Sequence, residues 1–355
     1  MSNPDRTGEG AGEAGHEAIT GSVDALPEGR RGGRRGRRRR GEETRVPDAE
    51  FRSYHGRPVL NQIVWEARDI GGYLFLGGLA GASSVLAAGA QLTGRPALAR
   101  PLKYTALAAI SGSTAALIHD LGRPERFLNM LRVFKPTSPM SMGTWILMCY
   151  GPLAGAAAVT EATGWFPRLG SAATIGAGLT GPLVATYTAP LICDTAVPAW
   201  HEGYRQMPFV FASSAAAAAG GMGLVAAPIE QSGPARRAAV CGALGEVATS
   251  TFMERRMGLA GEPYERGRAG ALTRAAKALS LAGAVGAVLG RRNRAVSALS
   301  GAALVAGSAL TRAGIFQAGV QSAADPKYTV VPQRRRLEER AAEEAREPVG
   351  AGTSG

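Results

Sequence analysis

The sequence predicts an all-α integral membrane protein with about eight transmembrane helices and disordered polar tails. Three observations carry this. Several apolar runs between residues 51 and 324 are uncharged for more than twenty residues, enough at ~1.5 Å per residue to cross the ~30 Å hydrocarbon layer of a bilayer. Residues 1–50 and 325–355 are polar, so a mean hydropathy near zero averages two unlike kinds of segment. Charge divides in the same way: Lys/Arg and Asp/Glu balance at 10 and 10 in residues 1–50 and at 6 and 6 in residues 325–355. The whole net charge of +12 therefore sits in the apolar middle. Short loops flanking membrane helices carry such a basic excess, and this reading is preferred to a nucleic-acid partner.

Residues 1–50 lack apolar periodicity and are rich in Gly, Glu and Arg, with eight arginines between Arg30 and Arg40, a composition that cannot bury a core. No apolar segment follows directly, so this is not a cleavable signal peptide. The first uncharged run is Ile70 to Gly94, whose many glycines permit close helix packing. The second, Lys103 to about Leu121, ends in a polar hinge, His119-Asp120-Leu121-Gly122-Arg123-Pro124-Glu125-Arg126-Phe127. The third runs from Pro136 to Thr160, the fourth from Leu169 to Cys193 and the fifth from Gln206 to Ile229. The last three, about Arg237–Met253, Gly270–Gly290 and Ala295–Ala318, contain Glu246, Arg274 with Lys277, and Arg312.

Cys149, Cys193 and Cys241 are isolated within apolar runs and form no Cys-x-x-Cys. The chain alone therefore supplies no metal or iron–sulfur site. Its four histidines, His16, His55, His119 and His201, do not face one another across helices as paired heme ligands would. Its glycines lie inside apolar helices, not after strands, which argues against a phosphate-binding loop.

Eight alternating helices put both tails on one side. The start of the first, the end of the second, the start of the third and the end of the fourth meet there, bringing Asp69, Tyr73, His119, Asp120, Arg123, Trp145, Tyr187 and Asp194 to one interface. Asp69 and Tyr73, four apart, share a helix face. Tyr hydroxyls with carboxylates at headgroup depth suit a molecule with polar oxygens and an apolar tail, such as a quinone, with Asp or His relaying protons. The plainer readings are an aromatic belt for the tyrosines and solvated or paired carboxylates. Glu246 and Arg312, deeper in the sixth and eighth helices, read either as a structural ion pair or, for Glu246, as a station on a proton route. The loops alone are near balance in Lys and Arg between the two sides. The Arg30–Arg40 block with Arg52, Arg57 and Arg68 directs both tails to the cytoplasm, in a multi-pass protein of the cell membrane.

The hinge and its neighbours resemble the NrfD/PsrC-type polysulfide reductase/nitrite reductase membrane-subunit family. The matching elements begin with Tyr73-Leu74-Phe75-Leu76-Gly77-Gly78-Leu79-Ala80-Gly81 and Asp120-Leu121-Gly122-Arg123-Pro124 with Arg126-Phe127. Pro136-Thr137-Ser138-Pro139-Met140-Ser141 and Tyr187-Thr188 followed by Val197-Pro198-Ala199-Trp200 complete them. The resemblance covers about residues 50–335. It implies two four-helix bundles, residues 51–205 and 206–324, in the membrane anchor of a molybdopterin oxidoreductase. Electrons would pass between an iron–sulfur, ferredoxin-like partner subunit and menaquinone or ubiquinone held non-covalently in the first bundle. The iron–sulfur clusters and molybdopterin would belong to the partner subunits, and this chain would not carry their catalytic centre. Asp69, Tyr73 and Tyr187 match the quinone-facing positions; the polysulfide-reducing members carry Asn and His at the two helix-one positions. His119 and Asp120 would move protons, and Arg123, Arg126, Arg132 and Lys135 would grip the partner. A proton-coupled transporter using Glu246, Lys277 and Arg312, or a purely structural anchor, are the other readings.

Overall fold

Prolines open most of the long helices. The computed structural model describes residues 59, 60, 63, 67–121 and 125–346, and eight long helices run through them. These are α1 (Ala67–Leu92), α2 (Pro96–Asp120), α3 (Pro139–Thr163), α4 (Pro167–Thr186), α5 (Met207–Ala226), α6 (Gly233–Arg256), α7 (Gly267–Leu289) and α8 (Arg294–Ala324). Helices α2 to α6 each have Pro in the first turn, where its missing N–H costs no hydrogen bond and its fixed φ is already helical. At α8, Asn293 takes the Pro's place as a cap and accepts from the backbone N–H of Ala295 and Val296.

Among the described residues, six segments are long and apolar enough to cross a membrane: those of α1, α3, α4 extended to Cys193, α5, α7 extended to Arg292, and α8. Helices α2 and α6 are as long, at 25 and 24 residues, but carry more charge. Helix α2 begins seven residues before the expected Lys103. Buried Lys103 bonds Glu161 of α3 at 2.9 Å, and Arg100 reaches the same carboxylate at 3.3 Å, so these cations are neutralised along the helix instead of marking its end.

Helices α1 to α4 pack on one another through α1–α2, α1–α4, α2–α3 and α3–α4. Helices α5 to α8 do so through α5–α6, α5–α8, α6–α7 and α7–α8, and α1 joins the two sets by packing on α5 and α8. The α1–α4 crossing is close enough that a Cβ on Gly81 would lie 2.3 Å from the Gly181 carbonyl oxygen, and one on Gly181 would lie 2.4 Å from that of Gly81. Small residues bring helix backbones together in this way within a membrane.

The C-terminal segment departs from expectation. Lys327–Arg346, expected to lack regular structure, forms a ninth helix, α9. Its start is held to the loop before α7 by Lys327 Nζ, 3.0 Å from Glu262. That bond holds the Glu262 carboxyl below its ordinary range and raises the Lys327 ammonium above its own. The expected N-terminal tail, residues 1–50, lies outside the described residues.

Candidate functional site

A cavity of about 340 Å³ opens among α1, α2, α3 and the end of α4. Its walls are apolar, from Ile70 and Leu74 on α1, Leu117 on α2, Met140 and Leu147 on α3, and Leu191 and Ile192 beyond α4. Tyr73, Tyr187, Asp120 and Thr144 supply its polar side chains. Four helix ends predicted to meet at one interface do so here.

Local chemistry sets each wall. Ser138 caps α3, accepting from the Ser141 N–H at 3.5 Å, and Pro139 follows as the first helical residue. The Ser141 hydroxyl accepts from the Lys135 N–H at 3.0 Å and donates to the Val133 carbonyl at 2.9 Å. Trp145 Nε1 donates to the same carbonyl at 3.3 Å, and its ring meets Phe134 edge-on at 5.9 Å. The Thr-Ser-Pro-Met-Ser element is therefore a cap and loop anchor that aims α3 at the cavity.

Tyr187 sits at a break. Helix α4 ends at Thr186, and a short turn of helix, Thr188–Cys193, continues the chain. Pro190 has no N–H for the Thr186 carbonyl four residues before it, and its ring crowds that carbonyl, which accounts for the interruption. The buried hydroxyls of Tyr187 and Tyr73 share a hydrogen bond, and their rings meet edge to face at 6.5 Å. Ser113 of α2 donates to the Tyr73 carbonyl at 3.1 Å, holding α1 at this level. Gly143 of α3 makes the room: a Cβ there would stand 2.4 Å from the Tyr187 Cε2. Sequence reasoning missed Gly143, because nothing in the spacing pairs it with an aromatic ring 44 residues away.

The other predicted residues divide. Asp120 lines the cavity. His119, its neighbour, is exposed and does not line it, since adjacent helical residues point about 100° apart. Asp194, seven residues past Tyr187 and on its face in an unbroken helix, caps the short turn and is exposed, because the break at Tyr187 resets the helical register. The Asp69 backbone belongs to α1, but its side chain lies outside the described residues, as do Arg123 and the Arg126 side chain. Arg132 and Lys135 are exposed in the loop leading to α3.

Glu246 and Arg312 do not form the expected structural ion pair. Thr311 donates to one Glu246 carboxylate oxygen, and Ser280 to the other at 3.3 Å. The fully buried Arg312 donates from Nη2 to the Phe211 carbonyl at 2.8 Å, and its guanidinium carbon lies 3.6 Å from the Phe211 ring centre. It extends toward α1, where glycine at 78 leaves space for Nη2. Lys277 pairs with Glu254 at 2.6 Å.

A membrane-spanning helical protein with a small apolar cavity closed by two tyrosines is the class that fold and site define. Residues 58–227 match the family described as polysulphide reductase, NrfD. The match takes in every wall of the cavity and ends at the close of α5. No curated protein matches the chain.

Proposed function

We propose that the cavity is a quinone/quinol site, and that the chain is the membrane anchor through which a molybdopterin oxidoreductase complex exchanges electrons with membrane quinone. The observation that carries this is the hydrogen-bonded Tyr73–Tyr187 pair, buried beside Asp120 in a cavity whose other walls are apolar. Its volume falls in the range of small-molecule pockets, and a few convergent polar groups in an apolar lining are what such pockets use to orient a ligand. The residues therefore fit a head group with two carbonyl oxygens and a hydrocarbon tail.

A bound quinone would supply two-electron, two-proton redox chemistry. The chain's own residues would bind, orient and move protons. The phenol of Tyr187 or Tyr73 donates a hydrogen bond to a carbonyl oxygen and returns as acceptor when that oxygen carries a proton. Asp120, at the end of α2 where the cavity meets the hinge, relays protons to the aqueous side. Asp69, one helical turn before Tyr73, serves at the same mouth. An iron–sulfur partner subunit would dock on the hinge loop through Arg132 and Lys135, with Arg123 and Arg126, on the cytoplasmic face of the cell membrane. Arg132 lies two residues past Met130, which lines the cavity, so docking there would bring a donor cluster to the cavity.

The test is Tyr187→Phe in the purified complex. Loss of one hydrogen bond weakens quinone retention about fivefold, and loss of the proton-handling hydroxyl lowers quinol turnover by about 10²-fold. Assembly with the partner subunits stays intact. Unchanged turnover removes Tyr187 from the site; retention of the partner without any quinone leaves the chain a structural anchor.

A further inference from the structure

A second cavity, of about 450 Å³, lies on the other flank of α1 at the seam between the two helix sets, with α1 and α4 on one wall and α5 and α6 on the other. Eleven of its fifteen lining residues are Ala, Val, Leu, Gly or Pro. Along α1 it runs from Ala82 to Thr93, on the order of 16 Å at the helical rise per residue, which is about one leaflet of the ~30 Å hydrocarbon layer. Its inner end reaches Pro182 to Thr186 of α4 and Ala212 of α5, and its outer end, remote from the hinge, carries Arg95 and Arg237.

These two arginines distinguish the cleft from an ordinary gap between helices. Several cations at this end are engaged, Arg100 and Lys103 with Glu161, Arg236 with the Ala287 carbonyl, and Arg294 with the Leu224 carbonyl, while Arg168, Arg291 and Arg292 lie outside the cleft. Among the described residues, no carboxylate pairs with Arg95 or Arg237. Arg95 reaches only the Thr93 carbonyl at 3.4 Å. The cleft thus joins a leaflet-long apolar trough to two cations at headgroup level.

We infer that this cleft binds an anionic phospholipid, with an acyl chain laid between α1 and α5 and the phosphate held by Arg95 and Arg237. Charge complementarity selects the occupant. A guanidinium pair favours a phosphodiester through charge-assisted hydrogen bonds, whereas the neutral carbonyls of a quinone leave both cations unpaired. A free phosphate would leave the trough unfilled. Placed at the seam, the lipid holds the two helix sets together where the cleft separates their side chains.

Gly89 supplies a direct test. It lines the cleft and is exposed, and a Cβ there meets nothing within 4 Å, so Gly89→Leu fills the trough without straining the helices. Full-length protein in detergent would be titrated with phosphatidylglycerol or with phosphatidylcholine of the same acyl chains. Bound lipid would be counted by native mass spectrometry, and the melting temperature followed in parallel. Wild type is expected to retain phosphatidylglycerol preferentially and to be stabilised by it. Each arginine near a headgroup contributes roughly a fivefold preference for anionic lipid, so Arg95→Ala with Arg237→Ala weakens phosphatidylglycerol about thirtyfold while phosphatidylcholine is unchanged. Gly89→Leu lowers retention of both lipids and leaves the lipid-free melting temperature as in wild type. Equal retention of the two lipids by wild type overturns the inference. So does wild-type phosphatidylglycerol binding by the double variant, lipid retention by Gly89→Leu, or occupation of the cleft by quinone or by a neighbouring polypeptide.

Discussion

Substituting Gly143 by Ala puts one methyl group against the ring of Tyr187. The new Cβ would stand 2.4 Å from Cε2 and 2.8 Å from Cδ2, where carbon atoms pack at about 3.5–4.0 Å. The ring must retreat by roughly 1 Å to restore contact distance. It cannot do so and keep its hydroxyl on Tyr73, because the hydroxyl moves with the ring. Overpacking of this kind costs about 1–3 kcal/mol of stability, and the lost hydrogen bond about 1 kcal/mol more. A displacement near 1 Å at a reacting site lowers turnover about 10²-fold. The control lies on the same helix: at Gly151 a Cβ meets nothing within 4 Å, so Gly151→Ala leaves turnover unchanged and shifts stability only by the helix-propensity difference of up to about 1 kcal/mol that both substitutions share. Thermal unfolding and quinol turnover of the purified complex measure both. A Gly143→Ala protein indistinguishable from Gly151→Ala refutes the packing. Lost stability with full turnover keeps the packing and removes the tyrosine pair from the chemistry.

Two further outcomes test the fold itself. At Gly81 a Cβ meets backbone, 2.3 Å from the Gly181 carbonyl oxygen and 3.0 Å from the Ala185 nitrogen. Gly81→Val should therefore force α1 off α4 and cost at least about 3 kcal/mol, read as a fall in melting temperature; wild-type stability would show that the crossing is looser. The second concerns α9. Glu262, held below its ordinary range chiefly by the Lys327 hydrogen bond, secures the helix fully above the ordinary carboxylate value of about 4.3, and the contribution disappears as pH falls through the depressed value. Lys327, raised chiefly by the same bond, keeps it past the ordinary lysine value of about 10.4, and the contribution is lost only as pH rises through the raised one. Hydrogen exchange of α9 amides, corrected for intrinsic rate, should be flat between these limits and faster in Glu262→Gln at neutral pH. Equal exchange in the variant would show that α9 is held by other contacts.

How much could be read in the sequence follows from the range of each interaction. The long helices follow from runs of apolar residues, a local property. The meeting of Tyr73, Asp120 and Tyr187 follows from alternation of direction alone, because parity places those helix ends on one side whatever the packing. The ends of α2 and α3 do not follow: Arg100 and Lys103 resemble a boundary until Glu161, 58 residues past Lys103, is seen to neutralise them. Gly143 is of the same kind, a residue whose purpose is visible only once the Tyr187 ring fills the space beside it. Helix α9 fails for a different reason. Its sequence, with Arg334 to Arg336 and six more charged residues after them, has the composition of a solvated tail. The ion pair to Glu262, 65 residues earlier, fixes its first turn to the membrane domain.

The charged residues of α6 to α8 bear on whether this half of the chain conducts ions. A pathway through Glu246, Lys277 and Arg312 needs the three to line one passage, and in the described residues Arg312 does not join the other two. Lys277 is drawn to Glu254, Glu246 is held by Thr311 and Ser280, and Arg312 turns away to the Phe211 carbonyl and ring, toward α1. The space between Glu246 and the Glu254–Lys277 pair is about 20 Å³, enough for a single water. One water between two carboxylates can pass a proton over a short gap, which keeps a proton-relay role for Glu246 chemically possible. It does not make a substrate passage. Arg312, with Nε and Nη1 buried and without hydrogen-bond partners, instead acts across the seam, where its guanidinium occupies the space left by Gly78 and ties α8 to α1 and α5. The charges Glu246, Glu254 and Lys277 therefore serve cohesion within the second helix set and Arg312 its packing on α1, while the hydroxyls of Tyr73 and Tyr187 face the cavity proposed to receive a quinone head group.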